Sequence, residues 1–410
     1  MTSILDELDF TLPEITDGII TAQNDIVLNS SSNTHSPNNN SIIRFNINGS
    51  GFLKATSVQL YADVTFTFAT AAHFISPAMY EIFDSIRILD QSGQVLEEVT
   101  AAAGLLNRVL HNASSSSDYL DCSPYTNSQK DVNKRYAVSD VAKTFRINAL
   151  DCMGLLQQEK WLHLPSFKGG LQIEMRLAST AALCTNKVAD ATLAVSLSNV
   201  QLMYTEAQVT EGYQQLYNQK LTSGGYAISF PSYSVLTNTA SEGYNMVALN
   251  KSVSKCKALV SVVRNGGDRN NEIKSETSTR HQVSSYQYQV NGVNVPAQAI
   301  TSKARGFQEM LTANYNHKNN QYANVCDDWE QNFEFGGIKT DDDVKGGTFA
   351  MWIDLEKSSS SALSGVKMVG NSSFLKVVLD AGQFTAPVVD TFVCYEKILS
   401  VQPQRVVVVE

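Results

Sequence analysis

Charged side chains are scarce in this sequence. They make up 17% of the 410 residues, whereas soluble proteins average about 25%. Such a composition is typical of a protein that buries much of its surface against other subunits, although a surface rich in Ser, Thr and Asn would look the same. The net charge of −9, without any Lys/Arg cluster longer than two residues, argues against direct nucleic-acid binding, which needs a clustered positive field.

Long apolar runs and paired cysteines are also lacking. No stretch of about 18 apolar residues occurs, so the sequence predicts no membrane-spanning helix. The acidic N-terminus lacks the basic and apolar regions of a signal peptide. In a chain this long, scattered cysteines without a CxxC pair predict free thiols in a reducing compartment. They are Cys122, Cys152, Cys184, Cys256, Cys326 and Cys394.

Catalytic and cofactor-binding motifs are missing too. The sequence has no HExxH, GxSxG, GxxxxGKS/T or GxGxxG pattern, and its six histidines are dispersed. A zinc site would need ligands from remote segments. We therefore predict that the protein is not an enzyme and has no catalytic residues, no cofactor and no metal site.

Three weaker candidates have simpler interpretations. Asp341–Asp343 could bind a cation, but consecutive carboxylates on a loop are more often solvated. Asp327, Asp328 and Glu330 could form a sugar-cleaving carboxylate pair, although their place in a long insertion favours a surface interaction loop. The glycine-containing run 264–269 resembles a phosphate loop weakly, and we interpret it as a turn between strands.

The most informative feature that is present is a repeat about 200 residues long. SIRILDQSGQVLEEV from Ser85 and SYQYQVNGVNVPAQA from Ser285 each read as two alternating runs around a tight glycine turn. An amphipathic, helix-like segment follows each of them, at 101–112 and 302–314. This order of elements predicts two tandem copies of one β-rich domain.

The strand pattern indicates the fold class. Alternating segments with one apolar face recur at short, even spacing, as in 52–68, and strands rarely alternate with helices. We predict an all-β protein of two tandem eight-stranded jelly rolls (β-sandwiches) with a few short helices. The expected division is an arm and tether at 1–40, a first jelly roll at 41–204, a linker at 205–222 and a second jelly roll at 223–410. Near the linker, Tyr204, Tyr213 and Tyr217 could form a stacking platform, but packing between domains is the favoured interpretation.

Three segments lie outside the regular strand pattern. The polar insertions 113–141 and 316–345 occupy equivalent places in the two copies, which predicts that they are exposed or lie between subunits. The N-terminal arm mixes acids with large apolar residues ahead of the polar tract 29–40. We expect the arm to dock on a neighbouring molecule through Ile4, Leu5, Leu8, Phe10, Leu12, Ile15, Ile19 and Ile20.

Three stretches carry a resemblance to a known family. They are WLHLPSFKGGLQIEMRLAS (161–179), MVALNKSVSKCKALVSVVRN (246–265) and the strand-turn-strand-helix unit that starts with SIRILDQSGQVLEEV (85–99). Together with the duplication, they resemble the double jelly-roll major capsid proteins of tailless icosahedral DNA viruses, the lineage of polinton-like viruses, virophages and the adenovirus hexon. The resemblance covers roughly residues 41–410.

The resemblance implies a structural role in a virus particle. A homotrimer of double rolls would form a pseudo-hexagonal capsomer that contacts neighbouring capsomers and minor capsid or penton proteins. The protein would be located in the virion after assembly in the cytoplasm or nucleus of the host cell, and the resemblance leaves an internal membrane open. The alternative is a tandem β-sandwich that binds carbohydrate or serves as a viral attachment protein.

Overall fold

The computed structural model describes residues 20–39, 41–67, 69, 72–74, 82–114, 141–147, 149–158, 160–179, 184–186, 194–266, 283–318, 350–356, 364–380, 386–402 and 406–409. The described part of the chain is built mainly from antiparallel strands. We refer to the described residues of 20–209 as the first roll and to those of 226–409 as the second roll.

The first roll is a sandwich of two main sheets. In one sheet, β13 pairs with β1 on one side and with β5 on the other, and β5 pairs with β9. The facing sheet has the order β3-β11-β7-β8. The strands are β1 (Ile20–Asn29), β2 (Thr34–His35), β3 (Ile42–Asn48), β4 (Phe52–Leu53), β5 (Gln59–Thr67), β6 (Ala72–Phe74), β7 (Phe83–Asp90), β8 (Val95–Val99), β9 (Lys143–Ile147), β10 (Leu162–His163), β11 (Gly170–Leu177), β12 (Cys184–Asn186) and β13 (Ala194–Val209).

The second roll repeats this arrangement. One sheet has the order β14-β22-β16-β19 and the other the order β15-β21-β17-β18. Its strands are β14 (Tyr226–Thr239), β15 (Gly243–Ala248), β16 (Val253–Asn265), β17 (Val283–Val290), β18 (Val293–Ile300), β19 (Met351–Asp354), β20 (Val366–Met368), β21 (Phe374–Leu379), β22 (Pro387–Val401) and β23 (Val406–Val409). Each roll therefore places eight main strands in two four-stranded layers, with the connectivity of a jelly roll.

Three α-helices accompany the strands in the described residues. Helix α1 (Ala103–Ser114) follows β8, and α3 (Lys303–Lys318) follows β18 at the equivalent place in the second roll. Helix α2 (Glu211–Gly224) joins the two rolls. Short 3-10 turns span Ala55–Ser57, Gly154–Gln157, Leu164–Phe167 and Gly370–Ser372.

Strict alternation of side chains explains why these segments form sandwich strands. In β5, residues Leu60, Ala62, Val64 and Phe66 are buried while the intervening residues are partly exposed. Apolar side chains from both layers of each roll meet in the core. Strand β22 is buried along nearly its whole length, because it lies between β14 and β16.

The structure differs from the sequence prediction at the N-terminus. Regular structure was expected to begin at Ser41, and this expectation is wrong, because β1 pairs with β13 from Ile20↔Val209 to Asn29↔Gln201. Part of the expected tether is also structured, since β2 pairs with β13 and His35 is buried. Strand β13 continues to Val209, beyond the expected boundary at 204. Of the two insertions, residues 115–140 and 319–345 lie outside the described residues.

Candidate functional site: the contact between the two rolls

The two rolls meet along one edge of each sandwich. Strand β8 and the 3-10 turn Gly154–Gln157 of the first roll contact β14 of the second, and helices α1 and α3 contact each other. Gln94 Nε2 also donates a hydrogen bond to the carbonyl oxygen of Val406 over 2.9 Å. The backbones approach so closely that a Cβ atom on Gly154 would lie 1.8 Å from the carbonyl oxygen of Pro231. Glycine at 154 is therefore a condition of this contact.

A buried carboxylate lies in the contact. Glu97 of β8 is fully buried, and its two carboxylate oxygens accept the N–H groups of Gly154 and Leu155, each over 2.9 Å. Burial raises the pKa of Glu97 to about 7, although these hydrogen bonds and the positive charge of Lys397 favour the ionised form. The contact therefore contains a group whose charge depends on pH near neutrality.

Beside this carboxylate is a polar cleft of about 240 Å³ between the rolls. Lys251 Nζ lies 5.4 Å from the centre of the Tyr395 ring in its wall. Among the described residues that line the cleft, Glu98 is the single carboxylate, so the cleft lacks the carboxylate pair of a sugar-cleaving site. The lining residues are Val95, Glu98 and Thr100 from the first roll and Tyr233, Ser234, Val235, Lys251, Tyr395, Lys397 and Val408 from the second.

Helix α2 is held by an aromatic cluster. The Tyr217 ring lies 5.1 Å from Phe52, 4.7 Å from His163 and 5.6 Å from Tyr226, measured between ring centres. His163 is buried, its Nδ1 lies 2.6 Å from Ser166 Oγ, and burial lowers its pKa to about 4. The cluster joins the first roll, the connecting helix and the first strand of the second roll.

Of the three tyrosines near the linker, Tyr217 packs between the two rolls as the favoured interpretation predicted, whereas Tyr213 is 38% exposed. Tyr217 belongs to the aromatic cluster, Tyr213 lies 6.3 Å from Phe52, and Tyr204 is buried within β13. The Tyr217 ring packs helix α2 against both rolls, and Tyr204 belongs to the core of the first roll.

Buried ion pairs account for several charged residues of the second roll. Lys257 Nζ lies 2.6 Å from Glu396 and 3.5 Å from Glu356, and Arg264 pairs with the fully buried Asp390. Arg264 therefore belongs to strand β16 and does not belong to a phosphate-binding loop. The rest of that candidate, from residue 267 on, lies outside the described residues.

The outer faces of the two equivalent four-stranded sheets differ in chemistry. On the first roll, Arg44 and Arg87 lie 2.7 Å and 4.0 Å from Glu174, and Arg87 lies 3.2 Å from Glu98. On β15 of the second roll, Tyr244 and Met246 are 64% and 50% exposed. The first face carries a ladder of opposite charges, whereas the β15 edge of the second exposes large uncharged side chains beside Lys376 of β21.

The remaining predicted site residues are placed as follows. Ile20 is the first residue of β1 and is 49% exposed, while Ile4, Leu5, Leu8, Phe10, Leu12, Ile15 and Ile19 lie outside the described residues. The acidic residues of the second insertion, Asp327, Asp328, Glu330 and Asp341–Asp343, also lie outside them. Within the described ranges, no cluster of three or more His, Cys, Asp or Glu side chains could hold a metal ion, and no helix is long and apolar enough to cross a membrane.

Sequence reasoning missed Glu97 and Gly154. A signal for Glu97 was present, because it stands between Val95 and Val99 on the inward parity of β8. An acid at an inward position of a strand is unusual and indicates a buried partner. Nothing in the sequence around Gly154 pointed to the approach of Pro231.

No protein-family model matches the sequence, and no curated protein matches it. The structure is similar to the capsid of the virus PBCV-1 (TM-score 0.59, 9% identity, covering 98% of this chain and 99% of that one). It is also similar to the Faustovirus major capsid protein, with a TM-score of 0.57 and 8% identity over 98% of this chain and 93% of that one. A chain of the Sputnik virophage matches with a TM-score of 0.57 and 12% identity over 100% of this chain and 92% of that one. The predicted double jelly-roll fold of major capsid proteins is confirmed.

Proposed function

We propose that the protein is the major capsid protein of an icosahedral DNA virus. The observation that carries the proposal is the match of the whole chain, over 98–100% of its length, to capsid chains that are themselves covered over 92–99%. The two rolls and their connections therefore correspond to almost the whole length of these capsid chains. Its function is to supply shape and contacts to a shell.

The close contact between the rolls supports this role. Gly154 against Pro231 and the buried Glu97 hold the two sandwiches in one arrangement. Three chains then supply six similar sandwiches, which can form a pseudo-hexagonal capsomer with closed threefold symmetry. The low content of charged residues agrees with extensive burial between subunits and with neighbouring capsomers.

Further partners follow from the same proposal. Minor capsid or penton proteins would fill the positions in the shell that a pseudo-hexagonal unit cannot occupy. The chain described here would be located in the virion after assembly in the host cytoplasm or nucleus. The residues before Ile20 would reach a neighbouring capsomer or an inner protein, because 19 extended residues span roughly 60 Å. Their apolar side chains, from Ile4 to Ile19, would supply the docking contacts.

The alternative of a carbohydrate-binding or attachment protein receives less support. A ligand site for sugars usually combines an aromatic platform with convergent polar groups. Here the aromatic side chains near the linker pack within the protein. The polar cleft is lined by two lysines, one carboxylate and two tyrosines, but Tyr233 and Tyr395 are only 6% and 3% exposed, so they offer no open aromatic platform. An enzymatic role is not proposed, because the site offers no catalytic arrangement in the described residues.

Sedimentation of the purified chain tests the proposal. We expect a particle of three times the 44.9 kDa chain mass at micromolar concentration. A chain that stays monomeric at every concentration tested, including under conditions that promote shell formation, would overturn the capsid function. Binding to a glycan array by such a monomer would favour the alternative.

A further inference from the structure

The cleft between the two rolls is rich in hydrogen-bond donors. Lys251 and Lys397 line it and bring two ammonium groups, which donate hydrogen bonds and accept none. A hydroxyl group can also donate, and four further lining residues carry one. They are Thr100, Tyr233, Ser234 and Tyr395. Groups of this kind favour a ligand made of acceptors, and the two lysines favour one with negative charge.

The charge in the cleft is opposite to that of the chain as a whole. The chain has a net charge of −9, whereas the described lining residues include two lysines and one carboxylate. That carboxylate belongs to Glu98, which lies 3.2 Å from Arg87. Because Arg87 balances the charge of Glu98, the two lysines determine the sign of the potential in the cleft.

Lys397 is the buried cation of the pair, with 4% exposure on β22. A buried ammonium needs negative charge beside it. Glu97 supplies that charge only in part near neutral pH, because burial raises its pKa to about 7. Glu396, the preceding residue of β22, lies 2.6 Å from Lys257. An anion in the cleft would therefore add charge that the neighbouring carboxylates do not fully provide.

Lys251 is held in the wall of the cleft before any ligand arrives. Its Nζ lies 5.4 Å from the centre of the Tyr395 ring, in a cation–π contact. Its backbone N–H donates to the carbonyl oxygen of Leu249 over 2.8 Å. A cation that is already positioned loses little conformational freedom when it binds an anion.

The size of the cleft restricts the ligand to a small ion. Its volume of about 240 Å³ lies below the roughly 300–1,000 Å³ of sites for larger organic ligands. Lysine binds phosphate as a point charge, and hydroxyl groups can donate to the remaining phosphate oxygens. We propose that the cleft binds a small phosphate-type anion, either inorganic phosphate or the phosphate of a small monoester, through Lys251 and Lys397.

The bound anion would also stabilise the contact between the rolls. Thr100 and Glu98 of the lining belong to the first roll, and both lysines belong to the second. A ligand that binds only when the two rolls are together stabilises the folded arrangement. The site lies within one chain, so it goes beyond the proposed capsid function and does not depend on the trimer.

Titration with inorganic phosphate tests the site. Thermal unfolding and isothermal calorimetry should both report binding, with a Kd of about 1 mM or tighter. Sodium chloride at equal ionic strength is the reference, because it reproduces the screening of charges without a tetrahedral dianion. A midpoint of unfolding that rises no more in phosphate than in chloride, together with no heat of binding, would overturn the proposal.

Substitutions place the binding in the cleft. Lys397→Met and Lys251→Met keep an apolar stem and remove the charge, and each should weaken phosphate binding by about tenfold or more. Lys251 is only partly buried, so its variant keeps the test valid if Lys397→Met does not fold, which circular dichroism shows. Glu98→Gln removes a repelling carboxylate and should tighten binding by roughly twofold to fivefold.

A lysine elsewhere on the second roll provides the matched control. Lys376 of β21 is not one of the described residues that line the cleft, and its Nζ donates to Asn294 Oδ1 over 2.8 Å. Lys376→Met should bind phosphate as tightly as the wild-type chain. Equal losses in this variant and in the cleft variants, or unchanged affinity in both folded cleft variants, would contradict the site.

Competition experiments identify the source of the phosphate. Glycerol 3-phosphate should displace inorganic phosphate, because its terminal group has the same charge and shape. A single-stranded oligonucleotide should not displace it, since the chain is too large for the cleft. Displacement by the oligonucleotide at equal phosphate concentration would overturn the assignment to a small anion. A chain that stays monomeric but binds phosphate would support this site while contradicting the proposed capsid function.

Discussion

The backbones of Gly154 and Pro231 lie so close that a Cβ atom at 154 would be 1.8 Å from the Pro231 carbonyl oxygen. This approach joins the 3-10 turn of the first roll to the first strand of the second. It also positions the amides of Gly154 and Leu155 to donate to Glu97. Together with the contact between α1 and α3 and the Gln94–Val406 hydrogen bond, this approach sets the relative position of the two rolls.

Gly154→Ala should destabilise the protein. The added methyl group collides with backbone and cannot be relieved by a side-chain rotation, so we expect a loss of about 1–3 kcal/mol or more in the free energy of unfolding, measured by denaturant titration. Gly212→Ala in helix α2 is the control, because a Cβ there meets nothing within 4 Å. That variant should be neutral or slightly stabilised. Equal stability of the two variants would contradict the contact.

Glu97→Gln should remove a pH dependence of stability. The folded pKa of about 7 lies above the usual 4.5, so the contribution of Glu97 to stability is full below pH 4.5 and is lost as the pH rises through 7. As the pH rises from 4.5 to 7, the free energy of unfolding of the variant should therefore increase relative to that of the wild type by on the order of 3 kcal/mol. Glu98→Gln, next in sequence but 45% exposed, is the matched control for the removal of a carboxylate from β8. A pH-independent difference for Glu97→Gln would refute the assignment.

His163→Phe should act in the opposite direction. The folded pKa of about 4 lies below the usual 6.5, so stability from the neutral ring is present above pH 6.5 and is lost as the pH falls through 4. Phenylalanine keeps the packing against Tyr217 but does not titrate. The free energy of unfolding of the variant should therefore not show this decrease as the pH falls through 4. Ser166→Ala removes the hydroxyl beside Nδ1 but keeps the imidazole, and its acid-induced loss should remain. Identical acid sensitivity of His163→Phe and wild type would count against the buried neutral ring.

Deletion of residues 1–19 should leave the trimer intact and weaken the shell. The deletion stops before β1, whose pairing with β13 completes the first roll. A full-length variant in which the apolar residues of the arm are changed to Ser should show the same weakened shell as the deletion. Since this variant keeps the length of the arm, it separates the effect of apolar docking from that of chain length. The changed residues are Ile4, Leu5, Leu8, Phe10, Leu12, Ile15 and Ile19. Shell assembly is measured by light scattering and electron microscopy. Shells of normal yield and stability from both variants would exclude a docking role for the arm.

Replacement of Asp327, Asp328 and Glu330 by Ala should leave folding and assembly intact, because we propose that the second insertion is an interaction loop without catalytic function. Thermal melting and sedimentation measure folding and assembly, and a glycosidase screen of the wild-type chain is the companion assay. A hydrolytic activity in the wild-type chain that these substitutions abolish would show that the loop is catalytic.

The duplicated sandwich could be predicted from sequence, because it depends on local patterns. The hairpins around Gly93 and Gly292 require a positive φ at these turns. The alternation of apolar and polar residues in β5 indicates which face of the strand is buried. Such signals need no knowledge of distant contacts.

Strand β1 escaped prediction for a physical reason. It lies at the edge of its sheet with eight exposed residues of ten, so its sequence shows little apolar alternation beyond Ile26 and Leu28. These two residues pack on the core from the side. The contact between the rolls was hidden for another reason, since the burial of Glu97 depends on β14, which is more than 120 residues away in sequence.

Negative-stain electron microscopy of the purified chain tests the central claim most directly. A major capsid protein built from this double sandwich should give three-lobed particles with a pseudo-hexagonal outline, in which six similar densities surround a threefold axis. Isolated two-lobed particles of a single 44.9 kDa chain, unchanged as the protein is concentrated, would contradict it.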